Sequence, residues 1–439
     1  MEEKKLLIKG MVLPMTGAKD FFNEGEIAVE SGKILSVGPI GSTPEGWEPN
    51  VVLGGSNFLA MPGLINGHTH AGMTLLRGYA DDLPLMQWLQ EKIWPFEDKL
   101  TSEDIYWGTK LCIIEMIMSG TTTLVDMYFD MDRVAQAVEE SGFRASLSRG
   151  MVGFGANSEL AIQQSKELIE TWHGKADGRI QVLLGPHAPY TCSPEYLKRV
   201  IKLSEEYGVG INIHLAETKG EVEDITKQYG KSPIRLMEEV GLFNRPVVAP
   251  HCVHVDDEEI AILAKYKVGV IHNPESNMKL GSGVCPVSKL LQAGVKVGIG
   301  TDGASSNNNL DLFGEIRSAA FLQKVNYGAT ALPAFQALEM ATVNGAKALG
   351  LEKLGLLIPG YKADIILIDL HKPHLYPRHD LVANLAYSAH SSDVHTAIID
   401  GKVVMQDRKV QTLDVERTIA EVQSRAEAIK DQLAASALK

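Results

Sequence analysis

The chain has 439 residues, 45% of them hydrophobic, and a formal net charge of −13. That length and apolar content suffice for one large core with a smaller appended unit. An acidic chain lacks the basic surface that nucleic acids and anionic membranes require, so neither is an expected partner.

The first residues are polar, and neither a secretory signal nor a transmembrane helix is predicted. The four cysteines are scattered without a CxxC pair, which predicts small core residues instead of disulfides or a cysteine zinc site. We therefore expect a cytoplasmic protein.

Short β-like runs lie near both ends of the chain. Each is broken by glycine or polar residues, and they are Leu6–Val12, Glu26–Val29, Ile34–Val37, Ala363–Asp369 and Thr396–Val404. They predict a small β-sandwich domain assembled from both termini. A polar amphipathic helix is predicted over Val415–Leu433.

Eight apolar runs occupy the middle of the chain, and each is nearly continuous instead of alternating. Continuous runs are typical of parallel strands that are buried on both faces. The predicted strands are Leu59–Asn66, Thr121–Met127, Arg144–Arg149, Ile180–Pro186, Val209–Leu215, Pro246–His251, Val268–His272 and Val295–Thr301.

Segments with helical periodicity lie between most of these strands. They are Tyr106–Met118, Arg133–Ser141, Glu159–Thr171, Pro194–Tyr207 and Glu258–Tyr266, and Ser193 is a predicted N-cap. The alternation predicts an α/β fold, a (β/α)₈ TIM barrel. An open doubly wound sheet is the alternative, although no GxGxxG opens a helix after a strand. The predicted domains are a composite β domain (1–58 and 355–410), the barrel (59–354) and a C-terminal helical segment (411–439).

Metal-capable side chains follow five of the predicted strands. His68 and His70 end the first strand, and both imidazoles face the same way because side chains alternate along a strand. The others are His187, His214 with Glu217, His251 and Asp302, at the ends of strands four, five, six and eight. A barrel gathers such ends at one rim, where barrel enzymes place their catalytic residues. Any one of these histidines alone would more simply be a hydrogen-bonded core residue.

Three imidazoles and a carboxylate form a suitable ligand set for Zn²⁺, or for Fe²⁺, which accepts similar ligands. Such an ion lowers the pKa of bound water from about 15.7 toward about 7. Asp302 is predicted to bind the ion and accept a proton, His251 to orient the water, and Glu217 to shuttle a proton. Glu217 could instead orient a ligand histidine. One ion is expected, because no lysine able to bridge two ions lies between Lys175 and Lys198.

These residues resemble the amidohydrolase superfamily over nearly the whole chain, through Pro62–His70, His214–Glu217, His251 and Gly300–Gly303. Longer runs resemble one family within it, the 5′-methylthioadenosine/S-adenosylhomocysteine deaminases. These runs are Leu75–Pro84, Trp88, Ile93–Glu97, Gly185–Tyr190 and Asn273–Leu280.

The resemblance implies a role for each matching residue. The metal ligands would be His68, His70, His214 and Asp302, and the proton-transfer set would be Glu217, His251 and Asp302. Trp88 matches an aromatic residue lining the base pocket, and Glu97 and His187 match ribose contacts. Arg149 matches an arginine that meets the amino-acid tail of S-adenosylhomocysteine, as a guanidinium can grip a carboxylate. The alternatives are that Trp88 only packs in a lid and that Arg149 forms a structural ion pair.

The sequence departs from the family in one respect. Members that act on the carboxylate-bearing substrate often carry a second arginine about a dozen residues after the first, whereas Gly150–Gly178 contains none. We therefore expect weaker discrimination in favour of S-adenosylhomocysteine over 5′-methylthioadenosine and adenosine, which lack that carboxylate.

The expected function is a hydrolase acting on the C–N bonds of cyclic amidines. It would convert 5′-methylthioadenosine, S-adenosylhomocysteine or adenosine to the 6-oxopurine nucleoside and ammonia. Glu217 would give a proton to purine N1 as water attacks C6, beneath an apolar lid from Leu83 to Phe96. The rivals are a guanine, cytosine or triazine deaminase or dechlorinase, and a non-catalytic barrel. A homo-oligomer would suit the family.

Overall fold

The computed structural model describes residues 5–155 and 157–437. Residues 1–4, Ala156 and residues 438–439 lie outside this part of the chain. They include the first residues of the predicted segment 1–58, the last of the segment 411–439, and one residue of the arginine-free stretch.

The described strands form two sheets of eight strands each. In chain order they are β1 (Leu6–Val12), β2 (Phe22–Glu30), β3 (Lys33–Pro39), β4 (Val51–Pro62), β5 (Leu64–Thr69), β6 (Thr121–Tyr128), β7 (Arg144–Met151), β8 (Ile180–Pro186), β9 (Ile211–Asn212), β10 (Val247–Pro250), β11 (Gly269–His272), β12 (Lys296–Ile299), β13 (Ile365–Asp369), β14 (Val394–Ile399), β15 (Lys402–Gln406) and β16 (Lys409–Val410).

The helices of the described residues lie mainly between the barrel strands. They are α1 (Leu85–Trp88), α2 (Trp94–Glu97), α3 (Ser102–Met118), α4 (Met131–Ser141), α5 (Asn157–Trp172), α6 (Lys175–Gly178), α7 (Pro194–Tyr207), α8 (Lys219–Tyr229), α9 (Pro233–Val240), α10 (Asp257–Lys265), α11 (Pro274–Lys279), α12 (Val287–Gln292), α13 (Ala304–Asn307), α14 (Leu312–Tyr327), α15 (Ala334–Met340), α16 (Val343–Ala348), α17 (Leu381–Tyr387) and α18 (Val415–Ala437). The predicted helices are confirmed, and α7 has the predicted bounds. Its N-cap is Ser193, whose side chain accepts a hydrogen bond from the N–H of Tyr196 at 3.2 Å.

Strands β5 to β12 lie in sequence order, each parallel to the next. The order closes on itself, because the N–H of Asp302, just after β12, donates to the carbonyl of His68 in β5 at 3.0 Å. Beside this bond, Nδ2 of Asn66 donates to Oγ1 of Thr301 at 2.7 Å. Closure excludes the open doubly wound sheet and confirms the predicted TIM barrel.

The second sheet combines the two ends of the chain. Its order is β16-β15-β14-β13-β4-β1-β2-β3, so β4 lies between β1 from the N-terminal side and β13 from the C-terminal side. Apolar side chains from both halves share one core, among them Ile8, Ile27, Leu367 and Ile398. The sheet therefore folds over itself, as the predicted β-sandwich requires.

The predicted strand Leu59–Asn66 is wrong, because it joins parts of two strands. β4 ends at Pro62 in the small sheet and β5 begins at Leu64 in the barrel. The chain changes sheets at Gly63, whose N–H donates to the carbonyl of Asp364 at 2.9 Å. A Cβ at Gly63 would lie 2.2 Å from Oγ1 of Thr122, so only glycine fits. We retain the predicted domain division as a proposal, with this boundary moved to Gly63.

The predicted single strand Thr396–Val404 is also wrong. The structure has a hairpin of β14 and β15, which turns at Asp400 and Gly401. Both residues have positive φ angles, +52° and +72°, as a type I′ turn requires. An Asp-Gly pair between apolar runs is the sequence signal for such a turn.

A buried ion pair joins the barrel to the small sheet. Nε of Arg144 in β7 donates to Oδ2 of Asp364 at 2.7 Å, and its NH2 group donates to Oδ1 at 3.0 Å. Both side chains are 3% exposed, so the pair is held away from solvent.

The four cysteines are buried free thiols, as expected of core residues. Among the described residues, no helix is both long enough and apolar enough to span a bilayer.

Candidate active site

The barrel brings the predicted metal ligands together at the carboxyl ends of its strands. Ligand atoms of His68, His70 and His214 all lie within 4.8 Å of one another, and so do those of His68, His251 and Asp302. His68 is fully buried, and neither of its ring nitrogens has a hydrogen-bond partner among the described residues. A buried imidazole without partners is costly unless it binds something, so this donor set fits one divalent ion.

Backbone carbonyls orient two of the imidazoles. Nδ1 of His70 lies 2.6 Å from the carbonyl oxygen of Met127, and Nδ1 of His214 lies 2.7 Å from that of His187. A carbonyl oxygen only accepts, so Nδ1 of each ring carries a proton and Nε2 is the atom that can bind an ion. Without an ion, Nε2 of His70 faces Asp302, which raises the pKa of His70 to about 9 against the effect of burial. Burial holds the pKa of His214 well below its usual range, which keeps this imidazole neutral.

Asp302 is held on both oxygens. Its Oδ1 lies 3.4 Å from Nε2 of His68 and 3.3 Å from Nε2 of His70. Its Oδ2 accepts a hydrogen bond from Oγ of the buried Ser276 at 2.7 Å. Sequence reasoning missed Ser276, although it lies in the run Asn273–Leu280 that carried part of the family resemblance.

Glu217 lies in the same cluster, with its Oε2 3.7 Å from Nε2 of His251. The side chain is buried, and burial, with the nearby charge of Asp302, raises the pKa of Glu217 to about 8. The carboxyl group is therefore protonated at neutral pH. A protonated carboxyl group next to a metal-competent cluster can donate a proton to a bound substrate.

His251 follows β10 and faces the cluster. Its Nδ1 lies 3.0 Å from Nδ2 of Asn277 and 3.3 Å from Nδ2 of Asn273, so two amides hold the ring. Burial lowers the pKa of His251 to about 4, which keeps it neutral at physiological pH. Left-handed backbone at non-glycine residues concentrates here, at Ala216, His251, Cys252 and Asp302. Such conformations are typical of functional sites.

Glu97, the predicted ribose contact, lies at the end of the lid. The lid consists of α1, a π-helical turn over Leu89–Ile93, and α2. The Tyr128 hydroxyl donates to Oε1 of Glu97 at 2.7 Å, and the Tyr128 ring centroid lies 6.4 Å from that of His70. Burial raises the pKa of Glu97 to about 7. Sequence reasoning missed Tyr128, which the structure places at the end of the second barrel strand.

Of the other two predicted pocket residues, His187 lies beside the imidazole cluster and Trp88 is buried in the lid. The His187 ring centroid lies 4.9 Å from that of His214, and Nδ1 of His187 lies 3.0 Å from Oγ1 of Thr191. Trp88 is 5% exposed, and its indole N–H donates to the carbonyl of Ala80 at 3.0 Å. The single hydrogen-bond donor of the indole is therefore used within the lid.

Arg149 is the predicted site residue whose contacts lie elsewhere. Its Nε donates to Oε1 of Gln164 in α5 at 2.8 Å, and its NH1 group donates to the carbonyl of Gly150. The side chain lines a separate cavity of about 360 Å³ with acidic neighbours that include Asp130 and Glu167. Its contacts are thus with α5 and this cavity, and not with the imidazole cluster.

The chain belongs to the amidohydrolase family, whose sequence profile matches residues 59–404. A 5-methylthioadenosine/S-adenosylhomocysteine deaminase from Desulfitobacterium hafniense is 56% identical over 429 residues, which cover 98% of this chain and 100% of that relative. A solved adenosine deaminase from Xanthomonas campestris with bound zinc is 36% identical, with a TM-score of 0.94 and coverage of 97% of this chain and 98% of that one. A guanine deaminase from C. acetobutylicum shares the fold, at 24% identity and a TM-score of 0.82 over 91% of this chain and 99% of that one.

Proposed function

We propose that the protein is a metal-dependent hydrolytic deaminase of adenine nucleosides. It converts 5′-methylthioadenosine, S-adenosylhomocysteine or adenosine, with water, to the 6-oxopurine nucleoside and ammonia. The observation that carries the proposal is one cluster in which metal-competent imidazoles adjoin the buried, protonated Glu217. The relative that is 56% identical over nearly the whole chain supports the substrate class.

His68, His70, His214 and Asp302 are the proposed ligands of one divalent ion. The convergence of Nε2 of His68 and Nε2 of His70 on Oδ1 of Asp302, and the carbonyl that holds Nδ1 of His214, support this assignment. We propose zinc, as in the adenosine deaminase that is 36% identical, and Fe²⁺ would accept the same ligands. When bound, the ion polarises a water molecule and lowers its pKa toward about 7.

The protein groups move the protons of the reaction. Glu217, protonated at neutral pH, donates to N1 of the purine, so that the ring can accept electrons as water adds to C6. Asp302 accepts a proton from the attacking water, and His251 orients that water. Glu217 takes a second proton from the hydroxyl group now on C6 and passes it to the departing amino group, so that ammonia leaves as the C6 carbonyl forms. The proton held by Asp302 then returns to Glu217, which restores both carboxyl groups.

The nucleoside would be held by residues outside the proton-transfer set. The carboxylate of Glu97 would accept hydrogen bonds from the two ribose hydroxyls, with His187 as a further ribose contact. The Trp88 ring would pack against the base. These contacts separate the proposed function from guanine, cytosine and triazine hydrolysis, because those substrates have no ribose.

The contacts of Arg149 bear on how the enzyme discriminates among the three nucleosides. Its Nε and NH1 groups are bonded to Gln164 and Gly150, and acidic side chains line the same cavity, which would weaken its attraction for a substrate carboxylate. We propose that S-adenosylhomocysteine has no advantage over 5′-methylthioadenosine or adenosine.

An ultraviolet assay of purified enzyme over a substrate panel tests these proposals. The panel contains the three adenine nucleosides, adenine, guanine and a chlorotriazine. Conversion of the nucleosides with comparable specificity constants is expected. Turnover of guanine or the triazine alone would contradict the proposed function, and a strong preference for S-adenosylhomocysteine would contradict the proposal about Arg149.

A further inference from the structure

A second buried carboxylate, Glu221, lies directly behind Glu217. It belongs to the first turn of α8 and is 7% exposed. Its Oε1 accepts the N–H of Ala216 at 3.0 Å, and its Oε2 accepts the N–H of Glu217 at 2.8 Å. Both oxygens thus bind consecutive backbone groups of the segment that carries Glu217.

This arrangement differs from an ordinary helix cap. Thr218 is the N-cap of α8, and Thr218 with Glu221 has the spacing of a capping box, in which the acidic side chain returns to the N-cap N–H. Asp256 and Glu259 of α10 form that box, with the N–H of Asp256 bound at 2.8 Å. The Thr218 N–H also acts on the Glu221 carboxyl group, and Glu221 in addition accepts the N–H groups of the two residues before Thr218, which is more than capping requires.

The segment that Glu221 holds is connected to the segment after β10. Ala216 has a left-handed backbone with φ of +50°, which a non-glycine residue adopts only when its surroundings enforce it. Its N–H is bound by Glu221, and its carbonyl accepts the N–H groups of Val253 and His254, each at 3.0 Å. The Glu217 turn is therefore anchored on one side by Glu221 and on the other by the residues that follow His251.

We propose that Glu221 is a positioning residue for deamination. By accepting the N–H groups of Ala216 and Glu217, its two side-chain oxygens fix the Glu217 carboxyl group at its place beside His251. This inference rests on the proposed function, since it acts through the proton transfer assigned to Glu217.

Glu221→Gln tests the inference, because glutamine keeps the size of the side chain but presents an NH₂ group to one of the two backbone N–H donors. We expect kcat to fall at least tenfold, with KM within about twofold of wild type and an unchanged metal content per chain. The control is Glu223→Gln on the same helix, whose exposed carboxylate pairs with Lys219 at 3.3 Å. It should behave like wild type.

A double-mutant cycle separates positioning from a purely structural role. If Glu221 acts through Glu217, then Glu221→Gln should lower kcat in the wild-type background and change it less than twofold in the Glu217→Gln background. Equal losses in both backgrounds, or no loss in either, would overturn the inference. If Glu221→Gln does not fold, Glu221→Asp, which is too short to reach both N–H groups, enters the same cycle. Absence of deamination in the wild type would instead refute the proposed function.

Discussion

Oε2 of Glu217 lies 3.7 Å from Nε2 of His251, and both side chains are buried. Glu217, a proton donor, therefore lies beside a neutral imidazole in the cluster that the predicted metal ligands form. If Glu217 transfers the protons of deamination, Glu217→Gln should lower kcat by about 10²–10⁴-fold, the range typical of a lost general acid or base. Metal content should not change, because Glu217 is not among the proposed ligands. A variant that retains full activity would show that the proton comes from another group.

The rate should fall at alkaline pH. Burial raises the pKa of Glu217 to about 8, so its proton is present below that pH and is lost as the pH rises through it. A plot of log kcat/KM against pH should therefore decline with a slope approaching −1 above about pH 8. The small residual activity of Glu217→Gln should lack this decline. A profile that is flat from pH 7 to pH 10 would exclude the protonated form as the active one.

Activity should depend on a divalent ion. Exhaustive chelation is expected to abolish deamination, and zinc should restore it and raise the unfolding temperature of the metal-free protein. His68→Ala removes a buried imidazole from the proposed ligand set, so the metal content measured by atomic emission spectroscopy should fall well below one per chain. Full turnover in the absence of divalent ions would contradict the proposed mechanism.

Glu97→Ala should weaken nucleoside recognition. Loss of hydrogen bonds to a charged carboxylate is worth about 1.5–3 kcal/mol, which predicts a fall of roughly 10–100-fold in kcat/KM. Any turnover of free adenine should be unaffected, since it has no ribose. Glu91→Ala serves as a control, because Glu91 is exposed in the same lid and bonds only to Gln87 at 3.1 Å among its described hydrogen bonds. An unchanged nucleoside rate in Glu97→Ala would favour a free-base or triazine hydrolase.

Arg144→Ala should destabilise the fold strongly. It would leave Asp364, 3% exposed, as an unpaired buried charge, and breaking such pairs costs about 3–5 kcal/mol. Arg199→Ala breaks an ion pair of similar length, 2.7 Å to Glu159. Its two side chains are largely exposed, at 49% and 70%. An exposed pair contributes little to stability, so the two variants should differ clearly in denaturant titrations. Similar losses in both would mean that Asp364 finds another partner.

The barrel could be predicted from the sequence because the same pattern recurs along the chain: a continuous apolar strand, polar residues at its end, and in most cases a segment with helical periodicity. The histidines at the strand ends come together in the structure as the repeat requires. The change of sheet at Gly63 could not be predicted in this way. Residues 59–66 form one apolar run, and the close approach of Thr122 to Gly63 and the bond from the Gly63 N–H to Asp364 depend on residues remote along the chain.

The supporting residues of the site were harder to foresee. Ser276 and Tyr128 have ordinary roles in most sequences, and their importance depends on contacts with Asp302 and Glu97 that are remote along the chain. Arg149 matched the family pattern, and the structure adds a hydrogen bond from its Nε to Gln164 in α5; its contact with a substrate stays a prediction. Cytoplasmic location and self-association stay predictions from the sequence.

The place of β4 between β1 and β13 has a consequence for how the chain is made. During synthesis, β4 leaves the ribosome roughly 300 residues before its neighbour β13 can pair with it, counted between Pro62 and Ile365. The entropy cost of closing a loop rises only slowly with loop length, so this late pairing adds little to the free energy cost of folding. One edge of β4 nevertheless stays unpaired while the barrel segment is synthesised. The small sheet is therefore completed only after the barrel segment has been synthesised, and this step joins the two ends of the chain.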